Sequence, residues 1–409
     1  MFQKPFQNLI RIGILLLMAF LFNCSNDNLL PDQVIDQHGK TIQMIPAPDV
    51  SKTIQKEFSS PVSLLKSDGT LNVTGWSRYP YFQIDESLMK VEPKRYKRWE
   101  HYTFYNEDFG GAITITDIGN LAMGSIELLE FKSGKTIFSK TELVRPGSIF
   151  FPTNTTDPIE FTKGNQFIRI QKQKGKRIIS YSIQGDSAND KIVGNFEFIE
   201  KADEALAIIT PFSESNFFYE YKMPSLICKG TIVYQQSIYD FKENSFAVLD
   251  WGRGIWPEKN KWLWAAGAGM VGGELLSLNL GYGFGDQSNA TENGIVYKGK
   301  VHKLDKVIWK YDVKDYKKPW QFVSNDGRLE LNFTPVYLLY SDIDLMGMIG
   351  FLKQLVKNFS ISEIFELLKT EAYLNKAFGT YSGYVILDNG TKLEVKNLFG
   401  FAEQMYQQW

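Results

Sequence analysis

Three side chains in the second half of the chain have the chemistry of proton donors and acceptors: Asp250, Glu292 and His302. A carboxyl group enclosed by apolar residues has a raised pKa, so it can stay protonated near neutral pH. Such an acid could protonate an isolated alkene and start a hydration or a cyclisation. These three residues are therefore the candidate catalytic groups.

The same stretch is rich in tryptophan and glycine. Four of the nine tryptophans lie between Trp251 and Trp264, and nine of the 33 glycines lie between Gly252 and Gly285. Indole rings offer a large apolar surface and one N–H donor, which suits a hydrophobic ligand with a polar end. A nearby arginine could hold an acidic headgroup. The candidate ligand-binding residues are Trp251, Arg253, Trp256, Trp262, Trp264, Asn279 and Asn293.

Each of these residues also has a structural alternative. Asp250 and Arg253 would form an ion pair in a glycine-rich turn, and the tryptophans would fill a core. Glu292 and Asn293 would organise a turn. His302 stands alone in an alternating strand, where histidine is more often structural than catalytic. The residue types alone leave both sets of roles open.

The elements that position these residues are predicted to be strands. From about residue 70, apolar and polar residues alternate with a period of two, as in 112–116 and 167–170. Turn sequences separate the strands: Ser133-Gly134, Lys163-Gly164, Asn325-Asp326-Gly327 and Asn389-Gly390. The pattern predicts an all-β fold of two antiparallel β-barrels or sandwiches in tandem. A break at Thr210-Pro211 predicts an N-terminal domain over 66–210 and a C-terminal domain over 211–409.

One predicted strand has a bulky face and a nearly bare face. In Leu276 to Gly285 the leucines at 276, 278 and 280 alternate with Ser277, Asn279 and Gly281. Glycine weakens a strand by about 0.5–1 kcal/mol relative to alanine, so its use here predicts that something packs closely against the bare face.

Residues 343–377 interrupt the strand pattern. Apolar residues recur there at helical spacing, and Ser360 with Glu363 forms the sequence of a capping box. The segment is predicted to be a helical insertion in the C-terminal domain. Two roles stay open: packing on the barrel wall, or covering a barrel mouth or a membrane surface.

Composition limits the function. The 409 residues carry 45 basic and 46 acidic side chains without a long basic run or a nucleic-acid motif, so no nucleic-acid partner is expected. Two cysteines and three histidines give neither a disulfide framework nor a metal site. Phosphate loops, dinucleotide fingerprints and nucleophile elbows do not occur, so no cofactor is predicted.

The N-terminus has the features of an export signal. Residues 1–23 combine Lys4 and Arg11 with an apolar run too short to span a membrane comfortably. The run ends in Leu21-Phe22-Asn23-Cys24, which resembles the lipobox of bacterial lipoproteins, in which the cysteine carries the lipid. Removal of 1–23 changes the formal net charge from −1 to −3, since only two cations are lost. We therefore predict a lipid on Cys24, a tether over 24–65, export, and a bacterial outer-membrane location.

From about Gly75 to Trp409 the chain resembles the bacterial domain-of-unknown-function 2804 family. The motifs that carry the resemblance lie at 99–102, 250–257, 279–283, 291–293, 302–304, 326–328 and 378–383. Because the activity of this family is not established, the resemblance implies no particular reaction. A looser similarity of layout links the chain to proteins with two lipocalin-like β-barrels, such as carotenoid hydratases and tocopherol cyclase, and implies that fold.

Three functions follow as hypotheses. The first is a membrane-tethered protein that binds a hydrophobic small molecule or lipid in a β-barrel cavity. The second is an enzyme of the same fold that catalyses acid-dependent hydration, cyclisation or isomerisation of an isoprenoid or lipid. The third is a structural or surface-interaction lipoprotein without a ligand.

Overall fold

The computed structural model describes residues 33–49, 51–185, 187, 190–341, 354–367 and 370–408. The predicted signal, Cys24 and the first part of the helical insertion lie outside these residues. The described residues up to Pro46 form one small hairpin of β1 (Gln33–Ile35) and β2 (Thr41–Gln43). Residues 47–409 form a separate compact unit, which contains all the other elements.

Strands β3 to β26 follow in chain order. The first group is β3 (Val62–Ser63), β4 (Gly75–Ser77), β5 (Phe82–Gln83), β6 (Tyr96–Tyr105), β7 (Phe109–Asp117), β8 (Ala122–Glu130), β9 (Lys135–Val144), β10 (Ile159–Lys163), β11 (Gln166–Gln173), β12 (Lys176–Gln184), β13 (Lys191–Glu200), β14 (Leu206–Pro211), β15 (Phe217–Tyr234), β16 (Ser237–Phe241) and β17 (Phe246–Ile255). The second group is β18 (Lys259–Val271), β19 (Glu274–Tyr282), β20 (Gly294–Tyr297), β21 (Lys300–Lys303), β22 (Val307–Lys310), β23 (Trp320–Ser324), β24 (Leu329–Ser341), β25 (Glu371–Ile386) and β26 (Lys392–Gln408).

Two antiparallel sheets make up most of the unit. The first sheet has 13 strands, with the main order β10-β11-β12-β13-β15-β17-β6-β7-β8-β9; β14 and β16 also pair with β15, and β4 pairs with β14. It curls until its two edges meet, where Lys163 of β10 pairs with Glu142 of β9. The second sheet has nine strands in the order β21-β20-β19-β18-β26-β25-β24-β23-β22. The prediction of an all-β fold with two antiparallel β-barrels or sandwiches in tandem is confirmed, in the form of two large curled sheets.

Each curled sheet has a filled interior. In the first sheet, Phe104, Ile113, Ile170 and Phe196 belong to one continuous buried cluster. In the second sheet, the Phe333 and Tyr381 rings lie 4.6 Å apart and are fully buried. A third apolar layer lies between the sheets, because the strands present bulky side chains on both faces there.

The predicted turns are confirmed where a glycine follows a polar residue. Gly134, Gly164, Gly327 and Gly390 all have positive φ between 62° and 82° and join consecutive antiparallel strands. Glycine adopts this left-handed conformation without the steric cost that a Cβ would bring.

Two predicted boundaries differ from the structure. Leu64 and Leu65 are buried in the core of the first sheet, so the folded body begins before the end of the predicted 24–65 tether. The predicted boundary at residues 210/211 falls inside the first sheet, because the turn after Pro211 leads from β14 into β15 of that sheet. The chain crosses from the first sheet to the second between Ile255 and Lys259. The division into two domains stays a prediction.

The helical insertion ends before the predicted residue 377. Residues 354–358 are helical, and a second helix spans Ile361–Leu367. The capping box is confirmed, since the Glu363 carboxylate accepts from Ser360 N at 2.6 Å and Ser360 Oγ accepts from Glu363 N at 3.4 Å. β25 begins at Glu371, because pairing with β24 and β26 outweighs the helical spacing there. Leu355, Phe359 and Leu367 pack against the ends of β7 to β9.

Candidate functional site

A cavity of about 390 Å³ lies between the two sheets. β6 to β9, β15 and β17 of the first sheet form one wall, and β18 with β24 to β26 of the second sheet form the other. This position differs from the predicted one inside a barrel, because the interior of the first sheet is packed with side chains. The aromatic side chains that line the cavity are Trp99, Phe218, Trp256, Trp262, Trp264 and Phe284.

The indoles form an inclined array at one end of the cavity. Trp99 and Trp262 each lie 5.7 Å from Trp256, with 59° between the ring planes. Trp99 fits there because its ring lies over Gly252, where an added Cβ would approach the indole to 2.2 Å. The array gives a rigid apolar surface, since each ring is fixed by its neighbours.

Six polar side chains cross the first sheet in a single line, which we call the polar row. Each is the cross-strand neighbour of the next, and all six line the cavity: Thr141, Ser125, Thr114, His101, Asp250 and Lys222. Strand alternation puts them on the face opposite the first core, so the row runs along the cavity wall.

Lys222 is the centre of a buried charge cluster. Its ammonium lies 3.0 Å from Asp250 Oδ1, 3.3 Å from Glu220 Oε2 and 4.0 Å from Glu292 Oε2. It also lies 4.1 Å from the centre of the Trp264 ring. We call Lys222, Glu220, Asp250 and Glu292 the Lys222 cluster. One ammonium faces three carboxyl groups, so a fully ionised cluster would hold an excess of negative charge.

Burial and mutual repulsion set the protonation of this cluster. Burial raises the pKa of Glu292 to about 7, although Lys222 and the Asn279 amide oppose the shift. Burial, with the nearby Glu292 carboxylate, raises the pKa of Glu220 well above its usual range. Burial alone would lower the pKa of Lys222, but the carboxylates of Asp250, Glu220 and Glu292 raise it. The cluster therefore keeps Lys222 charged and holds protons on carboxyl groups near neutral pH.

His101 occupies the middle of the polar row. Its Nδ1 is 2.7 Å from Thr114 Oγ1 and its Nε2 is 2.9 Å from Thr103 Oγ1. Burial lowers the pKa of His101 well below its usual value, and the ammonium groups of Lys376 and Lys222 lower it further. The imidazole is therefore neutral, with a hydroxyl partner at each nitrogen.

The second sheet contributes charges to the opposite wall. Lys376 Nζ lies 3.2 Å from Glu403 Oε2 and donates to Thr103 Oγ1 at 3.0 Å. It also lies 3.8 Å from the centre of the Phe401 ring. Across the cavity, Glu127 of β8 faces the same space, and burial raises its pKa to about 7.

The bare face of β19 carries a contact between a carboxylate and a glycine. Asn279 accepts from Trp264 Nε1 at 2.8 Å and donates to Glu292 Oε2 at 3.0 Å. An added Cβ on Gly281 would lie 1.8 Å from Glu292 Oε1. The close packing predicted for this face is therefore present, and the packed group is the Glu292 side chain.

Several predicted residues come together at this site. Asp250, Trp256, Trp262 and Trp264 line the cavity. Glu292 is buried in the Lys222 cluster behind the wall, and Asn279 connects it to Trp264.

Asn293 lies in the layer behind these residues. Its side chain accepts from Gly281 N at 2.9 Å and donates to Asp305 O at 2.8 Å. Its observed contacts are thus with the backbone that holds the Gly281 and Glu292 segment.

Three predicted residues lie elsewhere. Trp251 and Arg253 point to the opposite face of β17, where the guanidinium lies 4.0 Å from the indole centre. The suggested Asp250–Arg253 ion pair is wrong, because residues three apart in a strand face opposite sides. His302 of β21 lies 3.2 Å from Asp388 Oδ2, and it is not among the residues that line the cavity.

Sequence reasoning missed several charged residues at the site. His101 belongs to the motif at 99–102, but that motif supported only the family resemblance. Glu220 and Lys222 stand in a largely apolar run at 217–226, which is the signal of a buried charge pair. Glu127 and Lys376 have no comparable local signal, since each lies in an ordinary alternating strand.

Neither metal ligands nor a membrane-spanning helix are found in the described part of the chain. No three His, Cys, Asp or Glu side chains there are placed to hold a metal ion. No helix among those residues is long and apolar enough to cross a membrane.

Three solved structures show partial similarity to this chain. A protein from Nitrosomonas europaea described as an AttH aligns at 14% identity with a TM-score of 0.45, covering 76% of this chain and 92% of its own. Kievitone hydratase from Nectria haematococca aligns at 11% identity with a TM-score of 0.48, covering 75% and 88%. CghA with Sch210972 aligns at 8% identity with a TM-score of 0.48, covering 87% and 97%. No curated protein matched the sequence.

The family comparison is more specific than these structural similarities. The model of a domain of unknown function, DUF2804, matches residues 55–360 and 362–409. These ranges include every residue that lines the cavity and the whole Lys222 cluster. The chain therefore belongs to the DUF2804 family.

Proposed function

We propose that the protein binds a hydrophobic small molecule with a polar group in the cavity between its sheets. The observation that carries this proposal is the contrast between the cavity walls: an aromatic array lies at one end, and the polar row crosses the middle. Ligand pockets typically combine apolar walls with a few placed polar groups in this way. The cavity volume of about 390 Å³ is within the usual range of about 300–1,000 Å³.

The geometry supports a ligand that spans the cavity. The inclined rings of Trp99, Trp256 and Trp262 would contact its apolar body. The hydroxyl of Thr114, the imidazole of His101 and the carboxylate of Asp250 would meet its polar group. Polar groups that a ligand brings into an enclosed site need partners, and the polar row supplies both donors and acceptors.

The proposal includes a place of action at a membrane. Lipidation at Cys24 after an export signal would anchor the protein on the bacterial outer membrane, as a periplasmic or surface lipoprotein. Two or more acyl chains hold a protein stably on a bilayer, since each buried CH₂ contributes about 0.8 kcal/mol. A hydrophobic ligand would then be available from the adjacent lipid phase.

Extraction of the protein purified from its own host tests the binding. Native mass spectrometry and solvent extraction should find a bound hydrophobic molecule on the unaltered chain. Ser125→Trp fills the middle of the cavity and should reduce the bound amount strongly, whereas Thr162→Trp on the exposed face of β10 should not. Equal amounts on both variants, or none on the unaltered protein, would contradict the proposal.

An enzyme is the second candidate, and one observation favours it. Asp250 and His101 are cross-strand neighbours that line the same cavity, and the neutral imidazole has a hydroxyl group at each nitrogen through which a proton could be relayed. The corresponding reactions are hydration, cyclisation or isomerisation of a hydrophobic substrate. Lipid extracts incubated with the protein should gain a product that is heavier by one water or isomeric with its substrate. Asp250→Asn should abolish this conversion while ligand binding persists.

A further inference from the structure

Carboxyl groups outnumber ammonium groups around the cavity. Lys222 is matched by Asp250 at 3.0 Å, and Lys376 is matched by Glu403 at 3.2 Å. The other two carboxyl groups of the Lys222 cluster, those of Glu220 and Glu292, are not among the residues that line the cavity. After these pairs are formed, one carboxyl group among the described residues that line the cavity, that of Glu127, is left without a matched cation.

Glu127 is placed to receive a ligand. It lies on β8 between Ala112 of β7 and Ser139 of β9, and all three residues line the cavity. Within the described residues its carboxyl group makes neither a hydrogen bond nor an ion pair. Lys376 of β25 and Tyr337 of β24 are the titratable groups that influence it from the facing sheet. The Glu127 side chain is partly buried, and an unpaired carboxylate there loses part of its solvation, so a group that neutralises it would be bound favourably.

The two ends of the cavity differ in chemistry. Trp99 of β6 pairs with Thr116 of β7, and Thr116 pairs with Met123 of β8. Glu127 lies four residues further along β8, beyond Ser125, and so at a distance from Trp99. The aromatic array therefore lies at one end, and the unmatched carboxyl group lies toward the other. A ligand that fits both ends has an apolar body and a basic terminus.

On the basis of the binding function proposed above, we propose that the ligand is a hydrophobic amine whose ammonium group pairs with Glu127. Its apolar body contacts Trp99, Trp256 and Trp262. An anionic lipid of the same length is disfavoured, because its carboxylate would lie beside the unmatched carboxylate of Glu127. A neutral alcohol keeps the apolar contacts and loses the ion pair.

Three probes of equal chain length test the charge preference: decylamine, 1-decanol and decanoate. Titrations at about pH 8, where a carboxyl group of pKa about 7 is mostly ionised, should give decylamine the highest affinity. The preference over decanol should be about 10-fold or more, as expected for a buried charge-assisted hydrogen bond, and decanoate should bind most weakly. Quenching of tryptophan fluorescence by the probes gives the readout.

Variants of Glu127, and of Glu130 on the same strand, complete the test. Glu127→Gln should lower decylamine affinity about 10-fold and leave decanol affinity unchanged. Glu127→Asp keeps the charge and should retain the preference for the amine, so it serves if the glutamine variant folds poorly. Glu130→Gln on the same strand is the control and should behave as the unaltered protein, because Glu130 does not line the cavity.

The outcomes separate the two proposals. Equal binding of decanol and decylamine, tighter binding of decanoate, or an amine preference that survives in Glu127→Gln would overturn the amine assignment alone. Failure of all three probes to bind, or binding that Ser125→Trp does not reduce, would overturn the proposed binding function itself.

Discussion

The ammonium group of Lys222 lies 3.0 Å from the carboxylate of Asp250, and both side chains are on the cavity wall. The two residues are direct cross-strand neighbours on β15 and β17, so the sheet itself sets this contact. Glu220 and Glu292 approach the same ammonium from two further directions. Lys222 thus brings Glu220 and Asp250 of the first sheet together with Glu292, which precedes β20 of the second sheet, in one buried charge cluster at the cavity wall.

Removal of this ammonium should destabilise the fold. Lys222→Met keeps most of the volume of the aliphatic stem but leaves three buried carboxyl groups without their shared cation. Breaking a buried pair in this way typically costs about 3–5 kcal/mol. Urea denaturation at neutral pH should show that loss in the free energy of unfolding.

A surface pair provides the control for this prediction. Lys242 lies 2.8 Å from Asp240, but its side chain is 75% exposed. Lys242→Met should therefore change the free energy of unfolding by less than about 1 kcal/mol. If both methionine variants lost the same small amount, the Lys222 cluster would have no special role in stability.

The carboxyl group of Glu292 should make stability depend on pH. Its pKa is raised from 4.5 to about 7 in the folded protein, mainly by burial. Below about pH 4.5 the group is protonated in both states, and its contribution to stability is fully present. As the pH rises through about 7 that contribution is lost, because the folded state must ionise a buried group.

Glu292→Gln removes this titration and should change the pH profile. The variant should gain stability relative to the unaltered protein as the pH rises from about 5 to about 7, by at most about 1.4 kcal/mol per pH unit. Denaturant melts across that range measure the difference. Glu394→Gln, at an exposed position on β26, is the charge-matched control and should leave the profile unchanged. A parallel profile for Glu292→Gln would mean that Glu292 is ionised throughout.

Cys24 should decide where the protein resides in the cell. A lipid on this cysteine predicts that the unaltered chain incorporates labelled fatty acid and sediments with membranes. Cys24→Ser should lose the label and appear in the soluble fraction, while Cys228→Ser should behave as the unaltered protein. Cys228 is a suitable control because it is buried in the core of the first sheet, and burial raises its pKa well above the usual range. Membrane attachment that persists in Cys24→Ser would contradict the lipid anchor.

Strands and turns could be predicted from the sequence because they depend on neighbouring residues. Alternation fixed which residues share a face, and glycines such as Gly134 and Gly390 marked turns that need positive φ. The same rule of alternation separates Asp250 from Arg253, since positions three apart lie on opposite faces. From the sequence the two residues are expected in a glycine-rich turn, and the rule excludes their ion pair only because Phe246–Ile255 is a strand.

The location of the cavity could not be predicted in the same way. Alternation tells which residues share a face, but it does not tell which face of one sheet meets the other sheet. Both faces of β6 carry buried side chains, so His101 and Tyr102 were equally plausible as core residues. The contacts of Glu127 and Lys376 with the cavity join strands that are far apart in the chain, and no local pattern encodes them.

Gly281 offers the sharpest test of the structure around Glu292. A methyl group at this position would lie 1.8 Å from Glu292 Oε1, so Gly281→Ala must displace a carboxylate that Asn279 holds at 3.0 Å. Overpacking of a buried site typically costs about 1–3 kcal/mol. Gly269→Ala on the adjacent strand β18 is the matched control, because its nearest neighbour would be an ordinary 3.5 Å away.

The double variant Gly281→Ala with Glu292→Ala should recover part of the loss, since the clashing group is gone, and the two changes should not add. Additive losses in a denaturation cycle would show that the Glu292 side chain does not lie over Gly281.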